Sequence, residues 1–482
     1  MKMRSVQAAI GLAVVVMMMA TGFAAESKPK AAGRPMNVVL ILVDDMGWKD
    51  LSCQGSDFYQ TPQIDRLAAD GMRFTNNYAA CAVCSPTRAA VMTGRYPARV
   101  GVTDWIRAVF QRGKVGHVDK NPTEYVTHKN RDLACPPNPY WMELDEVTIP
   151  EALQPTGYAS MHIGKWHLGD EPQYPEHQGF DGNFIGCDLG QPPTYHAPYK
   201  NKRYGFDPPI QPLTEDEFLT DRESIEAVKF ITENKDRPFF LYMAHYAVHT
   251  PIMGKPDVIK KYEALKDGKG QNNATYAALV ESVDDSTGHI LDALDRLGLA
   301  ENTLVIFTSD NGGLDRNGNP TENAPLRSGK GYAYEGGIRV PMIIRWPGVT
   351  EPGSVCDQPT MSIDLMPTVC HAAGVDLPSG RTIDGVDLTP ALRGKKLPDR
   401  TLLWHFPHYR HGPGHDPYSI IRDGPWKLIR FYDPAKTELY NLADDISEEH
   451  DLAAKMPDKV KQLNAKLDQM LKDTGAKLPR PK

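Results

Sequence analysis

The chain has 482 residues, 41% of them hydrophobic and 24% charged, a composition that excludes a mostly disordered protein. Its 54 Lys and Arg against 61 Asp and Glu give a net charge of −7. With no basic block, that balance excludes a general nucleic-acid binder. The length suffices for about three domain-sized units around a large buried core.

Lys2 and Arg4 precede an apolar run from Ala8 to Ala20, and small residues follow at Gly22, Ala24 and Ala25. This pattern predicts a signal peptide over residues 1–25 and export to the periplasm or the medium. The run is too short for a comfortable bilayer span, and no later stretch replaces it, so no stable membrane insertion is expected after cleavage. Without Lys2 and Arg4 the net charge becomes −9. An exported chain can form disulfides. Cys53, Cys81, Cys84, Cys135, Cys187, Cys356 and Cys370 are odd in number, so at least one is free or otherwise committed. Their spacing is not that of a zinc site.

Asn37 to Val43 is apolar and β-branched, the pattern of a strand buried on both faces. Thr61, Pro62 and Gly71 bracket a helix, and another opens near Ser85-Pro86 and stops at Gly94. Tyr158 to Ile163, Phe239 to His245 and Leu304 to Thr308 read as further short strands. Tyr276 to Leu297 has helical spacing and ends at Gly298, and Met342 to Trp346 then Ile363 to Ala373 give one more strand and helix. Such alternation predicts an α/β fold with a large mixed, mostly parallel sheet sandwiched by helices, over residues 36–385. Beyond it, Tyr418 to Arg422, Lys427 to Tyr432 and Glu438 to Leu442 are separated by turn residues, and a helix follows from Pro457 to Leu471. They predict a smaller C-terminal α+β subdomain over residues 386–482, an antiparallel sheet plus a helix.

In parallel sheets ligands bind beyond the carboxyl ends of the strands. Asp44 and Asp45 follow the first strand, Lys165 and His167 another, His249 a third, and Asp310 and Asn311 a fourth. The oxygen-only set Asp44, Asp45, Asp310 and Asn311 suits calcium or magnesium. Either pair alone would pass as turn or capping residues; two pairs at two strand ends favour a metal. Lys165, His167 and His249 together suit neutralising an anion and supplying a proton. Cys84-Ser-Pro-Thr-Arg88 opens a helix, whose first turn favours bound anions. Cys84 reads as a buried structural thiol or half a disulfide, the commoner fate of an exported cysteine, or as a thiolate nucleophile with His167 or His249 as base.

The run from Cys84 through Arg88 to Thr-Gly-Arg95 resembles the signature of the formylglycine-dependent sulfatases, arylsulfatase-like members of the alkaline phosphatase superfamily. The likeness extends from Asn37-Val-Val-Leu-Ile-Leu-Val-Asp-Asp-Met-Gly-Trp to Lys330-Gly-Tyr-Ala-Tyr-Glu-Gly-Gly-Ile-Arg-Val-Pro. It reaches Trp426-Lys-Leu-Ile and Glu438-Leu-Tyr-Asn-Leu in the tail. The resemblance implies that a formylglycine-generating enzyme oxidises Cys84, whose hydrated form is the nucleophile, which accounts for the odd cysteine. It implies one calcium ion held by Asp44, Asp45, modified Cys84, Asp310 and Asn311. Arg88 and Lys165 would hold the aldehyde hydrate and the sulfate charge, and His167 would help expel the sulfate. His249 and Lys330 would contact the ester, with His249 protonating the departing alcohol. One hydroxyl of the hydrate attacks sulfur, and collapse of the second releases the sulfate, which a serine could not do. In place of the serine and histidine that some relatives carry after Phe184-Ile-Gly186, this chain has Cys187-Asp-Leu-Gly-Gln-Pro-Pro.

The substrate expected is a sulfated carbohydrate cleaved in the exo mode, as in sulfated polysaccharide degradation. Binding then rests on the local field of the ion, Arg88, Lys165 and Lys330. Thr103-Asp-Trp105-Ile-Arg107 is a candidate sugar platform, and a loop carrying His405, His408, His411 and His415 is a candidate cap. The alternatives are a phosphate or phosphonate monoester hydrolase on the same scaffold, or a silent sulfated-glycan-binding protein with Cys84 never oxidised.

Overall fold

Val38 to Val43 are all fully buried in the centre of an eight-stranded sheet. The computed structural model describes residues 35–106, 120–266, 268–316, 319–410 and 416–482; residues 1–25, Arg107, His411 and His415 lie outside them. Strand order across the sheet is Ser354–Cys356, Met72–Phe74, Met342–Arg345, Thr303–Ser309, Asn37–Val43, Phe239–Ala244, Ala159–Gly164, Gly182–Phe184. Leu40 pairs in parallel with both Tyr242 and Ile306, and only Met342–Arg345 runs antiparallel to its neighbours. The expected large, mostly parallel sheet is therefore present.

Side chains alternate across a strand, and the central strand divides two cores accordingly. Val39, Ile41 and Val43 face helices Leu219–Glu233 and Ala274–Arg296. Val38, Leu40 and Leu42 face helices Cys84–Thr93 and Leu365–Ala373. Each fully buried aliphatic side chain contributes about 1.5–3 kcal/mol. Both layers carry such residues along their whole length, and the polar strand ends protrude beyond them.

A four-stranded antiparallel sheet, Thr401–Phe406, Tyr418–Asp423, Trp426–Tyr432 and Ala435–Asn441, packs with helix Pro457–Asp473 in a third core. That core includes Tyr78, Ala90 and Ile338, and residues 35–482 form one compact unit. Lys427 makes the join: its ammonium lies 3.0 Å from Glu335 Oε1 and 2.7 Å from Glu448 Oε1, all three side chains buried. Tyr78 Oη donates to Glu335 Oε2 at 2.6 Å, and the Glu335 amide donates to Glu448 Oε2 at 2.7 Å.

Two sequence expectations need correction. His405 is not in a loop; it lies in the strand Thr401–Phe406, buried, with Nδ1 2.7 Å from Ser419 Oγ and Nε2 3.1 Å from the Lys477 carbonyl. His408 is buried too, 2.8 Å from Thr103 Oγ1, so both hold structure together. All seven cysteines are free thiols and six are buried; Cys187, Cys356 and Cys370 serve as small apolar residues in the cores.

Candidate active site

Helix Cys84–Thr93 starts at Val83, which provides no side-chain cap, and ends at Gly94 in the left-handed region with φ 67°. Its first turn is fixed by side chains of the signature itself. Thr87 Oγ1 accepts from the Cys81 amide at 3.0 Å. Ser85 Oγ donates to the His167 carbonyl at 2.9 Å and accepts from the Ile106 amide at 2.9 Å. Cys84 is thereby held 3.4 Å from His167 Nδ1. His167 Nε2 lies 2.7 Å from the Ile106 carbonyl, so it carries the proton and leaves the Nδ1 lone pair facing sulfur. Burial pushes the Cys84 thiol pKa up against the pull of Lys165 and Lys330, which disfavours a thiolate nucleophile.

The backbone on either side is shaped for this approach. A side chain at Gly164, φ 99°, would place Cβ 2.0 Å from the Ala244 carbonyl oxygen, and one at Gly312 would lie 1.8 Å from that of Gly336. Glycine alone fits both positions. Asp45 and His167 have φ of 64° and 60°, a left-handed conformation that costs free energy and concentrates at functional sites.

The acids and cations meet beyond the strand ends. Lys165 Nζ lies 2.6 Å from Asp44 Oδ2, Lys330 Nζ 2.6 Å from Asp45 Oδ1, and Arg88 Nη2 2.8 Å from Asp310 Oδ2. Arg88 also donates to the Lys165 carbonyl at 2.7 Å. Asn311 Nδ2 donates to Asp45 Oδ1 at 2.8 Å, and Asp310 Oδ1 accepts from the Asp45 amide at 3.2 Å. His249 Nε2 is 3.6 Å from Asp45 Oδ2. Its Nδ1 lies 2.9 Å from the Thr250 carbonyl. Every site residue expected from the sequence is therefore in one cluster. Lys330 and His249 have the most exposed side chains of it, 9% and 13%, so they mark the open side.

These residues suit a divalent ion. Asp44 Oδ1 and Asn311 Oδ1 are buried without a hydrogen-bond partner, a costly state that a cation would relieve. Burial, more than the opposing Lys165, holds the Asp44 pKa above the usual carboxylate range. At Asp45 burial is outweighed by Lys330 and His249, and the pKa is held below that range. Burial, then Asp44, raises Asp310. Ligand atoms of Asp44, Asp45 and His249 lie within 4.8 Å of one another, which sets the His249 ring beside the oxygen set read from the sequence. Burial, then the neighbouring cations Lys165 and Lys330 respectively, keeps His167 and His249 neutral, with His249 lowered to about 3.

Some contributors had no sequence signal. Tyr195 Oη contacts the carbonyls of Tyr246 and His249 at 2.7 and 2.9 Å, fixing the loop that carries His249. Asp50, buried, accepts from the Gly47 amide, Tyr276 Oη and Thr321 Oγ1, which ties the Asp44–Asp45 turn to the loop before Lys330. Where the chain departs from its relatives, Cys187 contributes only its carbonyl, accepting from the His167 amide at 3.0 Å. Trp105 is half-buried, its ring 6.4 Å from that of His167.

The family model described as Sulfatase matches residues 36–375, and one described as N-sulphoglucosamine sulphohydrolase, C-terminal, matches residues 328–477. The chain belongs to the sulfatase family. It is a sulfuric ester hydrolase by that membership. This sulfatase is 35% identical to N-acetylgalactosamine-6-sulfatase of Canis lupus familiaris over 425 residues, covering 84% of this chain and 74% of that one. It is 33% identical to a sulfatase of Formosa agariphila over 500 residues, covering 90% and 87%. Among solved structures, Ps i-CgsB in complex with k-i-k-neocarrahexaose has a TM-score of 0.73 and 31% identity, over 92% of this sulfatase and 93% of that chain. Among the described residues no helix is long and apolar enough to cross a membrane.

Proposed function

We propose that the protein is an exported, exo-acting carbohydrate sulfatase that uses formylglycine at position 84 and one calcium ion. The observation that carries the reading is the placing of Cys84 in the fields of Asp44, Asp310, buried Lys165 and Arg88, and partly exposed Lys330. Arg88, Lys165 and Lys330 balance Asp44, Asp45 and Asp310 one for one. A divalent ion leaves the pocket with a surplus positive charge, which suits a sulfate monoester and opposes an uncharged one.

Asp44, Asp45, Asp310, Asn311 and modified Cys84 would hold calcium, which when bound supplies charge stabilisation for the transferring group. Oxidised Cys84 supplies a hydroxyl for attack on sulfur and a second one for release. His167 Nδ1, already directed at position 84, takes the proton when sulfate is expelled. His249, anchored through Nδ1, presents Nε2 toward the open side; the charge of a bound ester raises its pKa so that it protonates the departing alcohol. Lys165, Lys330 and Arg88 are preorganised around the sulfate oxygens, usually the largest single contribution to such catalysis. The carbohydrate reading draws on the relatives, one named for a sulfated amino sugar and one crystallised with a neocarrahexaose.

The test is release of inorganic sulfate from defined sulfated saccharides, with and without a calcium chelator, beside matched phosphate monoesters. Calcium-dependent sulfate release from the non-reducing end of at least one saccharide is expected. Faster turnover of the phosphate esters would contradict the sulfatase assignment. Cleavage of a small sulfated metabolite with every saccharide left intact would contradict the carbohydrate one.

A further inference from the structure

Gly190 lies flat against the His167 imidazole: a Cβ there would be 2.8 Å from both Cε1 and Nε2. The chain then leaves the catalytic cluster and forms a short hairpin closed by a bridge between Lys200 and Gly205. Its turn is built rigidly. Asn201 Oδ1 accepts from the amides of Arg203 and Tyr204, and Asn201 Nδ2 donates to the Pro193 carbonyl at 3.0 Å. Before the turn, Tyr199 is buried and donates to Glu217 at 2.7 Å. Behind it, Thr194 Oγ1 meets Met253 Sδ at 3.6 Å, on the segment that follows His249. The segment from Gly190 to Thr194 that leads into the hairpin therefore packs on His167 and on the chain that follows His249.

Gln191, Asn201, Lys202, Arg203 and Tyr204 line a shallow, open cleft of about 370 Å³. Gln191 Nε2 donates to Tyr204 Oη at 3.2 Å across it. Lys202 and Arg203 are exposed, and neither has an ion-pair partner among the described residues. Two adjacent unpaired cations repel each other, and the rest of the chain is acidic overall. Holding both on a turn pinned from two sides is explained by an anion that joins them. A planar guanidinium pairs with sulfate or carboxylate through two hydrogen bonds, and the half-buried Tyr204 ring gives a pyranose a flat wall.

Resting on the proposed carbohydrate sulfatase activity, we propose that Gln191, Lys202, Arg203 and Tyr204 form a second subsite, which binds a sulfate or carboxylate on the sugar adjoining the scissile ester. The favoured substrate is then a saccharide with at least two anionic groups on neighbouring rings.

Two measurements test this. The first compares kcat/KM for sulfated galactan oligosaccharides whose second ring carries a sulfate, a carboxylate or no charge, in the wild type and in the double variant Lys202→Ala/Arg203→Ala. The ratio of anionic-neighbour to neutral-neighbour turnover should fall about tenfold, through KM; the arm that falls identifies the anion, and an unchanged ratio in both arms overturns the subsite. The second measures calorimetric binding of a polysulfated galactan tetrasaccharide to Cys84→Ala protein, with and without the double substitution. An affinity loss of about tenfold supports the subsite even if no saccharide is desulfated, in which case the activity assignment alone fails. Equal affinities overturn the subsite whatever the activity.

Discussion

The molecule buries two clusters of acids and cations, and they differ in what they leave undone. Between the large sheet and the C-terminal sheet, Lys427 lies between Glu335 and Glu448, with Tyr78 closing one side. At the strand ends, Arg88, Lys165 and Lys330 lie against Asp310, Asp44 and Asp45, yet buried oxygens of Asp44 and Asn311 have no donor. The first cluster is sealed and joins two layers. Glu448 in the first and Asp45 in the second both have positive φ, and Glu448 Oε1, which also lacks a hydrogen bond, at least has the Lys427 ammonium 2.7 Å away; the second cluster is open, on the side of Lys330 and His249. A buried ion pair is by itself weak support for stability; unpaired oxygens beside a reactive side chain are the mark of a site that holds something.

Substitutions should separate the two. Cys84→Ala should fold with an unchanged melting temperature and lose sulfate release by on the order of 10⁴-fold or more, as when a nucleophile is removed; residual turnover within tenfold of wild type would break the assignment. Calcium should raise the melting temperature of the wild type, and Asp310→Asn should abolish that rise and lower kcat by about 10²–10³-fold. Retained calcium affinity, read by calorimetry, would contradict the ligand set. In the sealed cluster Lys427→Met should cost about 3–5 kcal/mol, because buried Glu448 loses its cation and Glu335 is left with Arg339, 3.4 Å away. Adding Glu335→Gln and Glu448→Gln should recover much of that loss, and denaturant titration of the three proteins reads it.

The smallest effect concerns the same C-terminal sheet. Burial lowers the His405 pKa to about 4, so the folded chain stays neutral there while the unfolded chain binds a proton below about 6.5. Stability should therefore fall as the pH drops from about 6.5 toward 4, by roughly 3 kcal/mol from this group. His405→Gln should flatten that acid limb; an unchanged slope would show that His405 is not its source.

The strands and the strand-end polar residues were legible because both are local. Val38 to Val43 must be buried on two faces, and Asp44, Asp45, Asp310 and Asn311 follow strands without a break. Met72–Phe74, Gly182–Phe184 and Ser354–Cys356 were not, since three residues carry no measurable period and the pairing partner decides them. Thr401–Phe406 was hidden by histidines that read as a polar loop, although His405 finds its partners in Ser419 and Lys477. Lys427 and Glu335 stood inside recognisable motifs, yet their meeting across 92 residues is a product of the tertiary fold. Tyr195 and Asp50 act by hydrogen bonds to distant backbone and hydroxyls, for which neither spacing nor composition gives a sign.

The most direct measurement is mass spectrometry of the peptide carrying position 84, taken from the protein as its native source produces it. The aldehyde of formylglycine, trapped as a hydrazone, is the expected result. A cysteine still bearing its sulfur, as thiol or disulfide, in protein that nevertheless releases sulfate would contradict the account at its centre.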